Sequence, residues 1–144
     1  MSLRMKKFSL IHTENLLELL EELNNNEKGF VLYLISTINF DGLQNIVSIR
    51  KSNGRYYTPT IDTLSEESNF GKEIVLGMLE SLQEKQFLQY KFLSDDSPFY
   101  CIQINPYIIR AGVGVHKNIY EAFKNSKYAF NVYMFGNDGF VKIK

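Results

Sequence analysis

One stretch constrains the fold of this chain more than any other: "TIDTLSEESNFGKEIVLGMLESLQEKQFL", Thr60 to Leu88. Apolar residues recur there at helical spacing, pause at an Asn and resume, which predicts a helix, a tight turn and a second helix. Thr60 stands where an N-cap belongs. Ile61 and Leu64 point inward, and Ser65 fills the slot where two crossing helices need a small side chain. Asn69 suits the turn, and Phe70 suits the apolar plug beneath it. On the second helix Val75, Leu79 and Leu82 fall at i, i+4 and i+7, a face that packs on the first.

After Gln86 the period drops to two. "FLQYKFL" and "FYCIQI", separated by "SDDSP", predict an antiparallel hairpin. Upstream, "HTENLLELLEELNNNEKGFVLYLISTIN" reads as two helices, capped at Thr13 and Asn26 and separated by the Asn run at 24–26. Leu16, Leu17, Leu20 and Leu23 form the stripe of the first; Phe30, Val31, Leu34, Ile35 and Ile38 form the buried face of the second. "DG" at 41–42 turns the chain. "NIVSIRKSNGRYYTPT" then predicts a short β-hairpin about Asn53-Gly54. Farther on, "NPYIIRAGVGV" is irregular, with Gly112 and Gly114 at tight turns. "HKNIYEAFKNSKYAF" predicts a helix burying Ile119, Tyr120 and Phe123. Residues 130–144 fit either a last hairpin around Gly136-Asn137-Asp138-Gly139 or a loose tail.

The expected fold class is α+β: a winged helix-turn-helix with two N-terminal helices, a β-hairpin wing and a C-terminal helix. Its 144 residues suit one domain, 1–144, burying about two-thirds of the unfolded surface. Residues 1–4 are expected to be a cloning scar, with the natural start at Met5. No apolar run approaches the roughly 18 residues of a membrane span, and no signal peptide is visible, so no membrane role is expected. The single Cys101 excludes an internal disulfide and a cysteine-based zinc site, and is expected to be a buried small hydrophobe. A reduced, cytoplasmic setting is expected. His12 and His116 lack metal-ligand spacing. No carboxylate pair, nucleophile–base set or phosphate-binding glycine loop stands out, so no enzyme activity, cofactor or metal is expected.

Net charge is zero but unevenly spread. Residues 1–49 carry four basic and six acidic groups; residues 94–144 carry six basic and four acidic groups. An anionic partner is therefore expected at Arg110, Lys117, Lys124 and Lys127, or at Arg50, Lys51 and Arg55.

A resemblance sharpens these expectations. "TIDTLSEESNFGKEIVLGMLESLQEKQFLQY" is similar to the helix-turn-helix and first wing strand of winged-helix proteins, wording shared by many bacterial regulators. "CIQINPYIIRAGVGVHKNIYEAFKNSKYAF" resembles the tail of the Rep-type winged-helix replication initiators of Firmicute plasmids and phages. In them the last wing strand runs into Asn-Pro, a glycine, and a helix bearing Tyr-x-x-Phe-Lys-x-Ser. Ile104-Asn105-Pro106, Gly112, Tyr120, Phe123-Lys124 and Ser126 match that wording, and the resemblance spans residues 8–130. It implies binding of double-stranded DNA in plasmid or phage replication or maintenance, without catalysis. A homodimer is expected because winged-helix proteins commonly bind paired half-sites. A replication protein is a further expected partner.

The DNA contacts this implies are Asn69 and Lys72 in the motif, Arg50, Lys51 and Arg55 on the preceding hairpin, and Lys117, Lys124 and Lys127 beyond the wing. Two features depart from the pattern. The second helix opens with Gly71, Lys72 and Glu73, followed by Leu76 and Gly77, so only Lys72 is a good phosphate or guanine ligand. The wing tip, Ser94-Asp95-Asp96-Ser97, is acidic. An alternative reading is a protein-interaction module or transcriptional regulator. In it Ile74, Leu76 and Met78 widen the apolar girth of the second helix beyond the ~100° stripe a packed helix needs and form a protein interface.

Overall fold

The computed structural model describes residues 9–37, 45–50, 53–92, 100–111, 115–130, 132–135 and 140–143. Its α+β architecture is built around the helical pair read from the sequence. α1 spans Thr13–Glu21, α2 Asn25–Ser36, α3 Ile61–Ser68 and α4 Lys72–Glu84. Thr60 caps α3, its Oγ1 accepting from the Thr63 N–H at 3.1 Å. Asn69 ends α3 in the left-handed region at φ 63°, where a short amide side chain is better tolerated than a branched one. The Ser65 hydroxyl donates to the Phe70 carbonyl at 2.6 Å and closes the turn. Leu64, Val75, Leu79 and Leu82 are fully buried, each contributing about 1.5–3 kcal/mol of transfer free energy.

Three expectations about the helices are corrected. The cap of α2 is Asn24, not Asn26: Asn24 Oδ1 accepts from the Glu27 N–H at 2.8 Å, and Glu27 Oε1 accepts from the Asn24 N–H at 3.0 Å. This reciprocal capping box outcompetes a cap two residues later, where no Glu or Gln stands at the right offset. Thr13 lies inside α1, whose N-cap is His12 without a side-chain bond. The buried stripe of α1 centres on Leu19 and Leu23, with Leu16 and Leu20 beside it, while Leu17 is 56% exposed. One residue past Leu16, Leu17 is rotated about 100° off that face.

The strands form antiparallel pairs. β2 (Ile49–Arg50) pairs with β3 (Tyr56–Tyr57), forming the expected hairpin, with Gly54 at φ 81° in its turn. β4 (Leu88–Phe92) pairs with β5 (Tyr100–Ile104), Leu88 opposite Ile104 and Phe92 opposite Tyr100. Residues 45–47 lie against the other side of β5: Val47 N–H donates to Ile102 O, and Ile104 N–H to Asn45 O, both at 2.9 Å. Asn45 is fully buried at φ 55°, and its Nδ2 donates to the carbonyls of Ile104 and Ile109, at 2.8 and 2.9 Å. The core lies between the helices and the face of this sheet carrying Leu88, Ile102 and Ile104.

The sequence reading missed one pair, β1 (Ser9–Ile11) with β6 (Ile109–Ala111). After β6, α5 covers only Lys117–Ala122, shorter than the helix expected. Residues 123–129 continue instead in i→i−3 turns, and Ile119, Tyr120, Phe123 and Tyr128 are buried. Residues 130–144 do pair at their ends, β7 (Val132–Phe135) with β8 (Phe140–Ile143). Gly112, Gly114, Ile38 and the acidic wing tip lie outside the described residues. No described helix is long and apolar enough to cross a membrane.

Candidate nucleic-acid interface

The path of the chain at the sheet decides where the basic residues go. Residues 45–47 run antiparallel to β5, from opposite Ile104 toward Tyr100. The chain then makes the β2–β3 hairpin and returns at Pro59, whose carbonyl accepts from the Tyr100 N–H at 2.9 Å. The hairpin therefore leaves and rejoins the sheet at the Tyr100 end of β5, the end at which residues 93–99 connect β4 to β5. The Arg50 backbone lies in β2, opposite Tyr56. Arg55 follows the turn with its side chain exposed. The turn is locked by Asn53, whose Oδ1 accepts from the Arg55 N–H at 2.9 Å and whose Nδ2 donates to the Tyr57 hydroxyl at 3.1 Å. Lys51 lies outside the described residues.

The motif itself offers little to an anion. Lys72 pairs with Asp62 across the turn, both side chains about 60% exposed. The hydrogen bond and charge of Asp62 raise the Lys72 pKa. The outward residues of α4 include Glu73, Leu76, Gly77, Glu80 and Glu84, and α3 adds exposed Glu66 and Glu67. Lys85, at the far end of α4, turns inward to Glu27. Asn69 is exposed but already serves as the left-handed turn residue.

The remaining lysines form a second group. Lys117 is exposed at the start of α5. Lys124 lies 3.9 Å from Glu121, and Lys127 is paired with Glu22 at the end of α1. Lys127 is thus partly neutralised by a helix it helps to dock.

Of the three apolar residues read as a protein interface, Ile74 and Leu76 are 49% and 40% exposed. Met78 is corrected: only 5% exposed, it lies three residues after Val75 on the same helical face and belongs to the core. Cys101 is also corrected. It is half-buried on the outer face of β5, whose inward residues are Tyr100, Ile102 and Ile104.

Several buried polar residues were not singled out by sequence reading. The Glu27 carboxylate, 4% exposed, accepts from Ser81 and from Lys85 Nζ at 3.0 and 3.1 Å. Burial alone would raise its pKa, but the hydrogen bonds from Ser81, the Asn24 N–H and Lys85, with the Lys85 charge, outweigh burial and hold it below 4.5. Burial pushes the Tyr120 hydroxyl up to about 12. Among the described residues no group of His, Cys, Asp and Glu is arranged to hold a metal ion. No family model, curated protein or solved structure matches the chain.

Proposed function

We propose that this chain is a winged-helix DNA-binding protein of the Rep-type initiator kind, acting without catalysis in plasmid or phage replication or maintenance in the cytoplasm. The observation that carries the reading is the attachment of residues 45–47 to β5. It gives the order α2, bridged segment 45–47, β2–β3 hairpin, α3, turn, α4, β4–β5 hairpin, with residues 45–47 lying along the other side of β5 where a third strand would stand. That order supports the winged-helix reading, in which α4 is the helix presented to the major groove. It also brings the basic β2–β3 hairpin to the wing-tip end of the sheet, where phosphate contacts belong. Arg50, Lys51 and Arg55 supply the main electrostatic attraction, and Lys117 and Lys124 extend it. Binding is to paired half-sites by a homodimer. The test is duplex binding by fluorescence anisotropy across a salt series. Affinity that falls with salt supports the reading, and a protein with no salt-dependent duplex binding at low ionic strength overturns it.

A second reading is favoured by the face of α4. Three carboxylates, Glu73, Glu80 and Glu84, stand there around the exposed Leu76. Carboxylates repel phosphates unless each accepts from a cytosine amine. On this reading the winged helix is a scaffold for protein contacts. Leu76→Asp separates the two outcomes: association lost with urea stability unchanged places a partner on α4, while stability falling by more than about 1 kcal/mol makes Leu76 part of the chain's own packing.

A further inference from the structure

His12 is the joint at which three parts of the chain meet. It continues the β1–β6 ladder, its N–H donating to the Ile108 carbonyl at 2.9 Å. It is also the N-cap of α1, its carbonyl accepting from the Leu16 N–H at 3.0 Å. Its ring meets Phe130 at a centroid distance of 4.8 Å, and Phe130 in turn meets Tyr107 at 5.0 Å. Asn15 strengthens the same seam, its Nδ2 donating to the carbonyls of Tyr107 and Tyr128 at 2.7 and 3.0 Å. The first turn of α1 therefore holds segment 126–130 in place.

This joint accepts a neutral imidazole and opposes a charged one, for three separate reasons. His12 Nε2 is buried and has no hydrogen-bond partner among the described residues. A protonated ring carries N–H on both nitrogens, so it would hold a buried, charged donor with no acceptor. The register supplies the second reason: Leu10 lies opposite Arg110, and His12 lies opposite Ile108. Side chains two residues apart share a face of a strand, so His12 and Arg110 are diagonal neighbours, within reach of a guanidinium. Thirdly, the ring stands at the N-terminus of α1, whose aligned peptide dipoles repel a cation. Burial, and then the charge of Arg110, hold the His12 pKa below 6.5. The other titratable groups around the ring do not offset this. Glu14 is exposed, Lys127 is paired with Glu22, and Tyr107 and Tyr128 are phenols whose pKa values burial raises. A hollow of about 430 Å³, bounded by Thr13, Glu14 and residues 127–130, opens beside the ring and gives it a way out to water.

We propose that His12 is a pH-sensitive latch: the neutral ring fastens β1 and α1 to segment 126–130, and protonation turns the ring into the hollow and opens that seam. The folded pKa lies below the unfolded one, so the fastening is complete above 6.5 and is lost as pH falls from there through the folded pKa. That window stands above the one in which Glu27 titrates, so the two are separable.

The test is an NMR titration of the imidazoles of the full chain, with His12→Gln identifying the His12 signal, combined with amide hydrogen exchange. The His12 ring should titrate below 6.5. Protection factors of the His12, Leu16 and Ala129 amides should fall at least about fivefold between about pH 7.5 and about pH 5, while those of α4 change less than about twofold. In His12→Gln, which takes up no proton, that fall should vanish, and in Arg110→Gln it should shrink. A His12 ring that titrates at or above 6.5 overturns the proposal. So does a fall that persists in His12→Gln, or one shared equally by α4, which marks global unfolding and not an opening seam. Should His12→Gln not fold, the ring titration and the distribution of protection in the unaltered chain decide the matter by themselves.

Discussion

Glu27 should be the most stability-sensitive polar side chain described in this fold. Its carboxylate ties three things together: the N-terminus of α2 through the Asn24 N–H, the flank of α4 through Ser81, and the end of α4 through Lys85. Removing one partner of a buried pair typically costs about 3–5 kcal/mol. Lys85 keeps 27% of its side-chain exposure, so its ammonium recovers some hydration and about 2–3 kcal/mol is expected here. Losing the acceptor for the Asn24 N–H adds about 0.5 kcal/mol, because Asn24 is exposed to water. Glu27→Ala should therefore destabilise by about 3 kcal/mol, lowering the urea midpoint by more than about 1 M at an m-value of about 2 kcal/mol/M. Lys85→Met strands the carboxylate instead and should cost about 2 kcal/mol. The double variant Glu27→Gln with Lys85→Met should be less damaging than the sum of its singles by about 1–2 kcal/mol.

The same carboxylate makes a pH prediction. Its folded pKa lies below the reference 4.5, so its stabilisation is fully present above that value and is lost as pH falls through the folded pKa. Glu27→Gln should flatten the stability profile below pH 4.5. A Glu27→Ala cost under about 1 kcal/mol, or singles that simply add, would refute the account of Glu27 as a buried junction.

Asn45 separates hydrogen bonding from backbone strain. Asn45→Gly keeps the left-handed backbone but leaves two buried carbonyls without their amide donor, at about 2–4 kcal/mol, and Asn45→Ala should cost about 1 kcal/mol more in the same urea titration. For DNA, Arg55→Ala should weaken duplex binding and reduce the magnitude of the salt slope by about 0.9 per half-site bound. Lys72→Ala should do much less, since Asp62 already compensates its charge; equal effects in the anisotropy assay would show that the pair opens on binding.

The helical pair and the β4–β5 hairpin were legible because each holds its period over enough residues to exclude the alternative. The capping box of α2 was legible too: an Asn with a Glu three residues on stands at Asn24 and Glu27, and the run of three Asn obscured it. Met78 follows from the same arithmetic that identified Leu79, being i+3 from Val75. The β1–β6 pair was not legible. Three residues cannot establish a period of two, and the partners lie about a hundred residues apart, so only tertiary packing selects them. The candidate site failed in a different way. Which lysine is spent on which carboxylate depends on how helices cross, and Lys72 with Asp62, Lys85 with Glu27 and Lys127 with Glu22 all join separate elements.

The residues that carry the resemblance to Rep-type initiators are, in this structure, mostly joints. Asn105 is fully buried; its Nδ2 donates to the Gln86 carbonyl at 2.8 Å and to Ser126 Oγ at 3.2 Å, and its Oδ1 accepts from the Tyr107 N–H at 3.0 Å. It thereby binds the left-handed turn after α4 to the end of β5 and to the tail. Tyr120 meets Tyr107 edge to face at 5.1 Å, and Phe123 is buried beside them. Such wording preserves the joint between sheet and tail, and it constrains the ligand hardly at all. Lys124 aside, whatever DNA affinity the chain has must come from side chains outside that wording. If the hairpin alone provides it, three cations per half-site set a ceiling, and the slope of log affinity against log salt should be no steeper than about −3 for each half-site bound. A steeper slope would require Lys117 and Lys124 on the duplex as well, and charge reversal at those two positions would then flatten it.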